Sequence, residues 1–249
     1  MTSPLRTLPL DPADRHLVVG DVHGRHETLL ALLEEARYDP AADVLYSVGD
    51  LIDRGPDAVA VVDFFDHPRR HAVRGNHEQM VVNPRRWRDV WLDPQHGGPT
   101  TLLALERHGR ELGWLEAFCR ELPIVLDVGD DDRPGAFRLV HAESPFDWSE
   151  ADLRGFLDDV SSLEAGESRL LWGRDDVGRS LLFPGAAVVD PGRSPRRVLC
   201  GHTPLDAVLT VAGTSWIDTA AGGFLSCVDA VTGREWRAPF AAGDAGFRY

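Results

Sequence analysis

Short apolar segments of strand length recur along the first third of the chain, and each ends in a polar turn. Residues 17–20, 44–48 and 71–73 form these apolar runs, and helical patterns cover residues 28–38 and 56–65. Because strand, turn and helix follow one another repeatedly, the pattern predicts a parallel sheet of the α/β type.

The pattern changes beyond residue 84. Residues 84–122 are rich in Trp, Arg and Leu and predict helix, with an interruption at 97–99. The remaining predicted elements are strands at 124–128 and 137–140, on either side of an acidic turn at 130–135, and helices at 149–160 and 167–173. Four further apolar runs have the spacing of an antiparallel β region: 198–200, 207–211, 215–217 and 224–228.

The sequence contains no internal repeat, low-complexity tract or linker. Residues 1–15 carry several prolines and scattered charges, which predicts a loose N-terminal leader rather than a signal peptide. Residues 16–249 are interpreted as a single domain with two sheet halves. No run approaches the ~18 apolar residues that a membrane span needs.

Five short polar clusters follow apolar runs, at 20–24, 49–55, 75–78, 141–142 and 201–203. Ligand sites of open α/β sheets lie at the carboxyl ends of the strands. The clusters contain Asp, Glu, His and Asn side chains of the metal-ligand type, among them Asp21, His23, Asp50, Asn76, His141 and His202. An amide oxygen beside carboxylates and imidazoles suits a cation such as Mn²⁺ or Fe.

The net charge and the absence of lysine argue against several classes of function. The chain has 26 basic and 40 acidic residues, and the resulting formal net charge of −14 argues against nucleic-acid and anionic-membrane partners. Every basic residue is Arg, which excludes a Schiff-base lysine, a pyridoxal-phosphate anchor and a Walker A lysine. If a permanently charged side chain binds a phosphate in this protein, that side chain is therefore an arginine.

The three cysteines, Cys119, Cys200 and Cys227, lie far apart, with no C-x-x-C pair. This spacing disfavours a disulfide framework and a cysteine-based zinc site, and it predicts a reducing, cytoplasmic environment. Nothing in the sequence demands more than a monomer.

The five clusters, in this order, resemble the metal-dependent phosphoprotein phosphatases within the calcineurin-like metallophosphoesterases. The similarity is greatest to the bacterial serine/threonine phosphatase branch that the bacteriophage lambda phosphatase typifies. It extends beyond the clusters to 72–80, 121–123, 141–146, 171–174, 201–204 and 217–219, and spans roughly residues 16–230. The resemblance implies that residues 16–249 form one catalytic domain, a β-sandwich of the α/β class flanked by helices, with its metal site on loops at the strand ends.

The resemblance also implies a role for each residue of the clusters. The first metal would be bound by Asp21, His23 and Asp50, and the second by Asp50, Asn76, His141 and His202, with Asp50 bridging. His77 would be the general acid, and Asp53 would orient it. Arg54 and Arg174 would bind the phosphoryl oxygens. The expected cofactors are two divalent ions, Mn²⁺ first, with Fe or Zn as alternatives.

The expected reaction is hydrolysis of phosphoserine and phosphothreonine, with phosphotyrosine and aryl phosphates as further substrates. A hydroxide shared by two cations would attack phosphorus directly. The arginines would neutralise the phosphoryl oxygens, and His77 would protonate the leaving oxygen. The partner is thus a phosphorylated protein or a small phosphoester.

Two rival functions remain open. A symmetrical dinucleoside tetraphosphate hydrolase belongs to the same superfamily, but its third motif tends to end in Asp where this chain has Glu78. A non-catalytic metal-binding regulator would be expected to lack the acid or a ligand, and all of these residues are present.

Some residues keep a second interpretation or have no role. Asp53 could cap the helix that begins near Pro56, and Arg174 could be a surface ion-pair partner of its acidic neighbours. His96 lacks the strand–Gly context and is expected to be solvated or structural. Glu143 and the loop 93–100 have no assigned role.

Overall fold

The computed structural model describes residues 3–131, 133–159, 168–183, 185 and 187–244. Its strands are β1 Leu5–Leu8, β2 Arg15–Val19, β3 Asp43–Ser47, β4 Arg70–Ala72, β5 Val125–Val128, β6 Phe137–Val140, β7 Arg197–Cys200, β8 Leu209–Val211, β9 Thr214–Trp216, β10 Phe224–Asp229 and β11 Glu235–Pro239. Its helices are α1 His26–Glu35, α2 Ala58–Phe65, α3 Asn76–Val82, α4 Pro84–Trp91, α5 Gly98–Arg107, α6 Leu112–Glu121, α7 Glu150–Asp158, α8 Arg169–Trp172 and α9 Asp175–Leu182. None of the described helices is long and apolar enough to cross a membrane.

The strands form two sheets. The five-stranded sheet has the order β11-β10-β2-β3-β4, and the six-stranded sheet has the order β1-β5-β6-β7-β9-β8. Strands β2, β3 and β4 are parallel neighbours, with Val18 opposite Tyr46 and Tyr46 opposite His71. This confirms the parallel sheet predicted from the first third of the chain.

The two sheets pack face to face, and successive residues of β2 point alternately toward and away from the interface between them. Val18 and Tyr46 point toward the six-stranded sheet and pack in one buried cluster with Phe137 and Leu139. Leu17, one residue earlier than Val18, points to the opposite face, because successive strand residues alternate between faces.

Helices cover the outer face of each sheet. The cluster that contains Leu17 also contains Leu29 of α1 and Met80 of α3. On the outside of the six-stranded sheet, Val140 and Trp216 pack with residues of α7, α8 and α9. The molecule is therefore an α/β sandwich flanked by helices, and this confirms the predicted fold class.

The N-terminal segment differs from the loose leader that residues 1–15 predict. Strand β1 lies within it and pairs in parallel with β5, Leu5 lying opposite Val125. The N–H groups of Ile124 and Val125 also donate to the carbonyl oxygen of Pro4. A four-residue run with Arg and Thr at its centre has little periodicity of its own, so the unpaired edge of β5 decides its conformation.

The prediction of an antiparallel region between residues 198 and 228 is wrong for its first strand, β7. Strand β7 is parallel to both of its neighbours, with Leu199 opposite Leu139 of β6 and Ser215 of β9. Antiparallel pairing is found for β8 with β9, for β10 with β11 and for β10 with β2. Short apolar runs carry no information about strand direction, and the helices between β6 and β7 provide the crossover that a parallel pair requires.

Some helix boundaries also differ. Residues 84–122 form three helices, α4 to α6, instead of two, and α9 and β11 were not predicted. The predicted helix 149–160 corresponds to α7, and 167–173 corresponds to α8. Residues 160–167 lie outside the described residues.

Candidate metal centre

The six predicted ligands follow the carboxyl ends of strands at one edge of the two sheets. Asp21 and His23 follow β2, Asp50 follows β3, and Asn76 begins α3 shortly after β4. His141 and His202 follow β6 and β7 in the other sheet. All six side chains are buried, and short contacts connect each of them to another member of the set, so the fold brings the whole predicted set together.

Backbone strain is concentrated at this edge. Seven described residues other than glycine have a positive φ, and five of them belong to the predicted site: His23, Asp50, Asp53, Arg54 and His202. A left-handed conformation at such a residue costs on the order of 1–3 kcal/mol. The surrounding hydrogen bonds must offset that cost, and such strain typically accompanies function.

The Asp50 carboxylate joins two groups of possible ligands. Its Oδ2 lies 3.5 Å from His23 Nε2, and its Oδ1 lies 3.4 Å from His141 Nε2. His23, Asp50 and His77 form one group whose ligand atoms lie within 4.8 Å of one another, and Asp50, His141 and His202 form the second. One shared carboxylate between two such groups has the layout of a dinuclear site.

Hydrogen bonds to backbone carbonyls fix the tautomers of two imidazoles. His23 Nδ1 lies 2.9 Å from Ile52 O, and His141 Nδ1 lies 2.8 Å from Val48 O. A carbonyl oxygen only accepts, so each Nδ1 carries the hydrogen. Burial lowers the pKa of both rings, which favours the neutral form with an unprotonated Nε2, and in both rings Nε2 lies on the side of Asp50.

Two acceptor atoms at the centre face each other without a hydrogen between them. His141 Nε2 lies 2.8 Å from Asn76 Oδ1, which also accepts from His202 Nδ1 at 3.0 Å. The lone pairs of His141 Nε2 and Asn76 Oδ1 repel each other unless a cation lies between them. The donor set therefore fits a divalent ion with oxygen and imidazole ligands.

Asp21 supplies an oxygen without a partner. Its Oδ2 accepts a 3.0 Å hydrogen bond from the His202 backbone, whereas its buried Oδ1 has no hydrogen-bond partner. Burial, together with Asp218 and Asp50, raises its pKa. A Cβ on Gly201 would lie 1.9 Å from Oδ1, so only glycine fits beside this carboxylate. An orphaned buried carboxylate oxygen fits the role of a metal ligand.

Two arginines border the centre. Arg54 Nη1 donates to His23 Nε2 at 3.0 Å, and Arg174 Nε donates to His202 Nε2 at 3.3 Å. Both arginines line a cleft of about 350 Å³ together with Asp50, Asn76, His77, His96, Trp172, His202 and Pro204. Arg174 thus points into the cleft, whereas its acidic neighbour Asp176 lies 3.7 Å from Arg169.

His77 and Asp53 form a buried pair at the edge of the centre. His77 Nδ1 lies 2.7 Å from Asp53 Oδ2, and His77 Nε2 lies 3.8 Å from Asp50 Oδ2. Burial lowers the pKa of His77 to about 3 and raises the pKa of Asp53 to about 7. A single proton between Nδ1 and Oδ2 satisfies both groups, so Asp53 orients the ring with Nε2 toward the centre.

Asp53 has two further partners that sequence reasoning missed. Thr101 Oγ1 donates to its Oδ1 at 2.6 Å, and Trp91 Nε1 donates to its Oδ2 at 2.9 Å. The alternative role of Asp53 as a helix cap is wrong, because Asp57 caps α2 and accepts from the Ala60 N–H at 3.0 Å.

Glu78 binds the backbone of two loops. Its carboxylate accepts from the N–H groups of Asp50, Leu51 and Gly75 at 2.9, 2.8 and 2.8 Å. Burial and the neighbouring Asp50 raise its pKa to about 8. Sequence reasoning used Glu78 only to separate the two candidate enzymes, but its position three residues after Gly75, the N-cap of α3, was a signal for this role.

The loop 93–100, which had no assigned role, borders the cleft. The ring centroids of His96 and His77 lie 6.5 Å apart. Gly97 has a φ of 84°, its carbonyl accepts from the Arg54 N–H at 3.3 Å, and a Cβ there would lie 2.3 Å from Arg54 N. His96 is therefore part of the cleft wall.

Known protein phosphatases are similar to this chain over most of its length. The chain is 33% identical to serine/threonine-protein phosphatase 1 of Salmonella typhimurium, over 83% of this chain and 87% of that protein. It is 30% identical to serine/threonine-protein phosphatase 2 of Escherichia coli, over 83% of this chain and 88% of that protein.

Other comparisons include the rival activity. A symmetrical bis(5'-nucleosyl)-tetraphosphatase of Shewanella sp. is 32% identical over 56% of this chain and 48% of that protein. The solved structure of a candidate diadenosine tetraphosphatase shares the fold, with a TM-score of 0.64, 20% identity, and coverage of 96% of this chain and 98% of that chain. The sequence model of the calcineurin-like phosphoesterases matches residues 15–225. The chain therefore belongs to the calcineurin-like metallophosphoesterases, as its motifs predict.

Proposed function

We propose that the protein is a dimetal phosphomonoesterase that hydrolyses phosphoserine and phosphothreonine. One observation carries this proposal: the hydrogen-bonded pair of His77 and Asp53 lies beside the buried Asp50 carboxylate, which has His23 Nε2 near one oxygen and His141 Nε2 near the other. The two relatives named as serine/threonine phosphatases, similar over 83% of the chain, support it.

The proposed ligands are Asp21, His23 and Asp50 for one ion and Asp50, Asn76, His141 and His202 for the other. Carboxylate, amide and imidazole donors without thiolate favour Mn²⁺ as the physiological ion, with Fe or Zn as alternatives. When bound, two such ions supply the Lewis acidity that makes water nucleophilic at neutral pH and offset phosphoryl charge.

His77 acts as general acid through Nε2. Asp53 retains the hydrogen at Nδ1, and a phosphate dianion in the cleft favours the protonated ring because opposite charges stabilise each other. A seryl or threonyl alkoxide is a poor leaving group and takes this proton. General acid catalysis of this kind contributes about 10²–10⁴-fold.

Arg54 and Arg174 bind the phosphoryl oxygens. Both line the cleft, and both already donate to imidazoles at its base. A guanidinium presents parallel N–H donors that match two phosphoryl oxygens, and it stays charged throughout the reaction. Charge that spreads over these oxygens in the transition state is thereby stabilised.

A symmetrical dinucleoside tetraphosphatase is the second candidate. The Shewanella relative of that name supports it, although the similarity covers only 48% of that protein. The presence of Glu78 rather than Asp at the end of the third motif favours the phosphatase.

A parallel assay of Mn²⁺-loaded protein separates the two candidates. One arm contains a phosphoserine peptide and p-nitrophenyl phosphate, and the other contains diadenosine tetraphosphate. Phosphate release in the first arm alone supports the proposal. Cleavage of diadenosine tetraphosphate to two ADP, with the peptide intact, would replace the proposed substrate class while retaining the fold and the ligand set.

A further inference from the structure

Glu143 lies two residues after His141 and is completely enclosed, with a residue exposure of 1%. Its Oε1 accepts a 2.6 Å hydrogen bond from the backbone N–H of Asp176, in the first turn of α9. Arg174 is the N-cap residue of this helix, and its own side chain makes no capping bond. Glu143 therefore caps, from a distant segment, the helix that Arg174 begins.

The same two segments are connected by reciprocal hydrogen bonds. The Asp176 carboxylate accepts from the Phe146 N–H at 2.8 Å, in return for the bond that its own N–H donates to Glu143. The Ala142 N–H also donates to Leu170 O at 2.8 Å. Three hydrogen bonds thus join residues 141–146, which follow β6, to residues 170–176, which include Arg174.

Gly173 packs directly on the Glu143 carboxylate. A Cβ at Gly173 would lie 2.6 Å from Glu143 Oε2. The backbone of Gly173, with φ −63° and ψ 142°, is one that any residue adopts, so close approach is the reason for glycine here. Glu143 consequently supports the residue that precedes Arg174 as well as the helix that follows it.

A nearby cation balances the acidic groups. Arg169 Nη2 lies 3.7 Å from Glu143 Oε2 and 3.7 Å from Asp176 Oδ1. The carboxylates of Glu143 and Asp176 therefore face Arg169, and Arg174 points into the cleft beside His202. This arrangement leaves the Arg174 guanidinium in the cleft, where the proposed function places the substrate phosphate.

We infer that Glu143 is a positioning residue, which fixes Arg174 relative to the metal centre by capping α9 and supporting Gly173. The inference rests on the proposed phosphomonoesterase function, in which Arg174 binds the phosphoryl group. Glu143 itself touches neither substrate nor metal. Its loss displaces Arg174 and leaves the ligand set in place.

A double-mutant cycle between Glu143 and Arg174 tests the inference with p-nitrophenyl phosphate. Glu143→Ala is expected to lower kcat/KM about 10- to 100-fold, the usual effect of misplacing a positioned group. In an Arg174→Ala background the same substitution is expected to have less than about a two-fold effect, because the group that it positions is gone. Glu143→Gln, which retains a carbonyl oxygen for the Asp176 N–H, is expected to recover most of the activity.

Asp152→Ala serves as the matched control. Asp152 belongs to the capping box of α7, in which its carboxylate accepts from Ser149 N–H at 2.9 Å, and it has no bond to the Arg174 segment. This variant removes a helix-capping carboxylate that is exposed and belongs to a different helix, so it is expected to change kcat/KM by less than about two-fold in either background. Equal losses for Glu143→Ala with and without Arg174 would show a general structural role and overturn the inference.

Amide hydrogen exchange of the metal-free protein provides a readout that needs no turnover. Glu143→Ala is expected to raise exchange selectively in residues 173–176, whereas the strands keep their protection. Unchanged exchange in that segment would overturn the inference. A wild-type protein with no phosphomonoesterase activity would instead refute the proposed function, and the exchange result would still report on the capping.

Discussion

His77 Nδ1 lies 2.7 Å from Asp53 Oδ2, and both side chains are buried. This bond directs His77 Nε2 to the side of the ring that faces Asp50, where the two groups of possible ligands meet. A ring held in this way can transfer a proton at one defined atom.

Replacement of His77 by Asn tests the acid. Because alkyl leaving groups need a proton and p-nitrophenolate does not, we expect turnover of a phosphoserine peptide to fall about 10²–10⁴-fold, with a smaller loss on p-nitrophenyl phosphate. Mn²⁺ binding, measured by calorimetry, should persist. Equal losses on the two substrates would contradict the general-acid assignment.

Replacement of Glu78 by Gln tests the support of Asp50. The amide offers one acceptor oxygen to the N–H groups of Asp50, Leu51 and Gly75, which now share two. We expect Mn²⁺ affinity to fall about 10- to 100-fold, as for other groups that orient ligands. Glu106→Gln, on an exposed face of α5, is the control. Unaltered affinity in Glu78→Gln would show that the Asp50 loop needs no such support.

Asp21→Asn should have opposite effects with and without metal. Without metal, the Asp21 carboxylate is buried near Asp50 and Asp218, so the neutral amide should raise the melting temperature. With Mn²⁺ in excess, wild type gains stability by binding, about 2.7 kcal/mol at one hundred times Kd, and the variant gains less. Thermal unfolding in chelator and in Mn²⁺ measures both. A lower melting temperature in chelator would argue against the electrostatic explanation.

Burial should determine how much an ion pair contributes to the free energy of unfolding, and two arginines allow a comparison. Arg138 Nε lies 2.6 Å from Asp127, with both side chains 2% exposed, and Arg138 Nη1 lies 2.9 Å from Glu150. Arg138→Met leaves Asp127 buried beside fewer partners and should cost about 3–5 kcal/mol in urea unfolding. Arg110→Met, whose pair with Asp63 is 43% and 48% exposed, should cost about 0–1 kcal/mol. Similar costs would refute this ranking.

Asp57 should contribute stability that depends on pH. Burial alone would raise its pKa, but hydrogen bonds from the Ala60 N–H and His108 outweigh burial and lower it. A carboxyl whose folded pKa is depressed stabilises fully above its unfolded pKa of 3.8, and this contribution is lost as pH falls through the folded pKa. Asp57→Ala should therefore cost about 1 kcal/mol at pH 7, and the difference should narrow in acid. Urea unfolding of both proteins across this range is the test, and a constant difference would contradict it.

The pattern of apolar and polar residues was sufficient to predict strands β2 and β3 and the polar residues that follow them. Strands β2 and β3 are continuous apolar runs because both faces of their sheet are covered, and such runs are visible in the sequence. Glycine-flanked polar residues after these strands had to meet at one edge, because parallel strands align their carboxyl ends. The pattern therefore pointed to the candidate metal ligands, whereas the resemblance to the phosphatases supplied the roles of His77, Arg54 and Arg174. The fold brings all of these residues to one edge.

Tertiary structure alone decided the interactions that orient these residues. Trp91 and Thr101 reach Asp53 across 38 and 48 residues, and Glu143 reaches the first turn of α9 across 33 residues. A hydrogen bond at such a separation leaves no periodic pattern, because each partner is an ordinary residue of its own helix or loop. The same reason applies to β1, whose four residues become a strand only because β5 offers an unpaired edge. Composition and periodicity indicate which face of a helix or strand is buried. Which other helix, strand or side chain that face contacts depends on the packing of the whole chain.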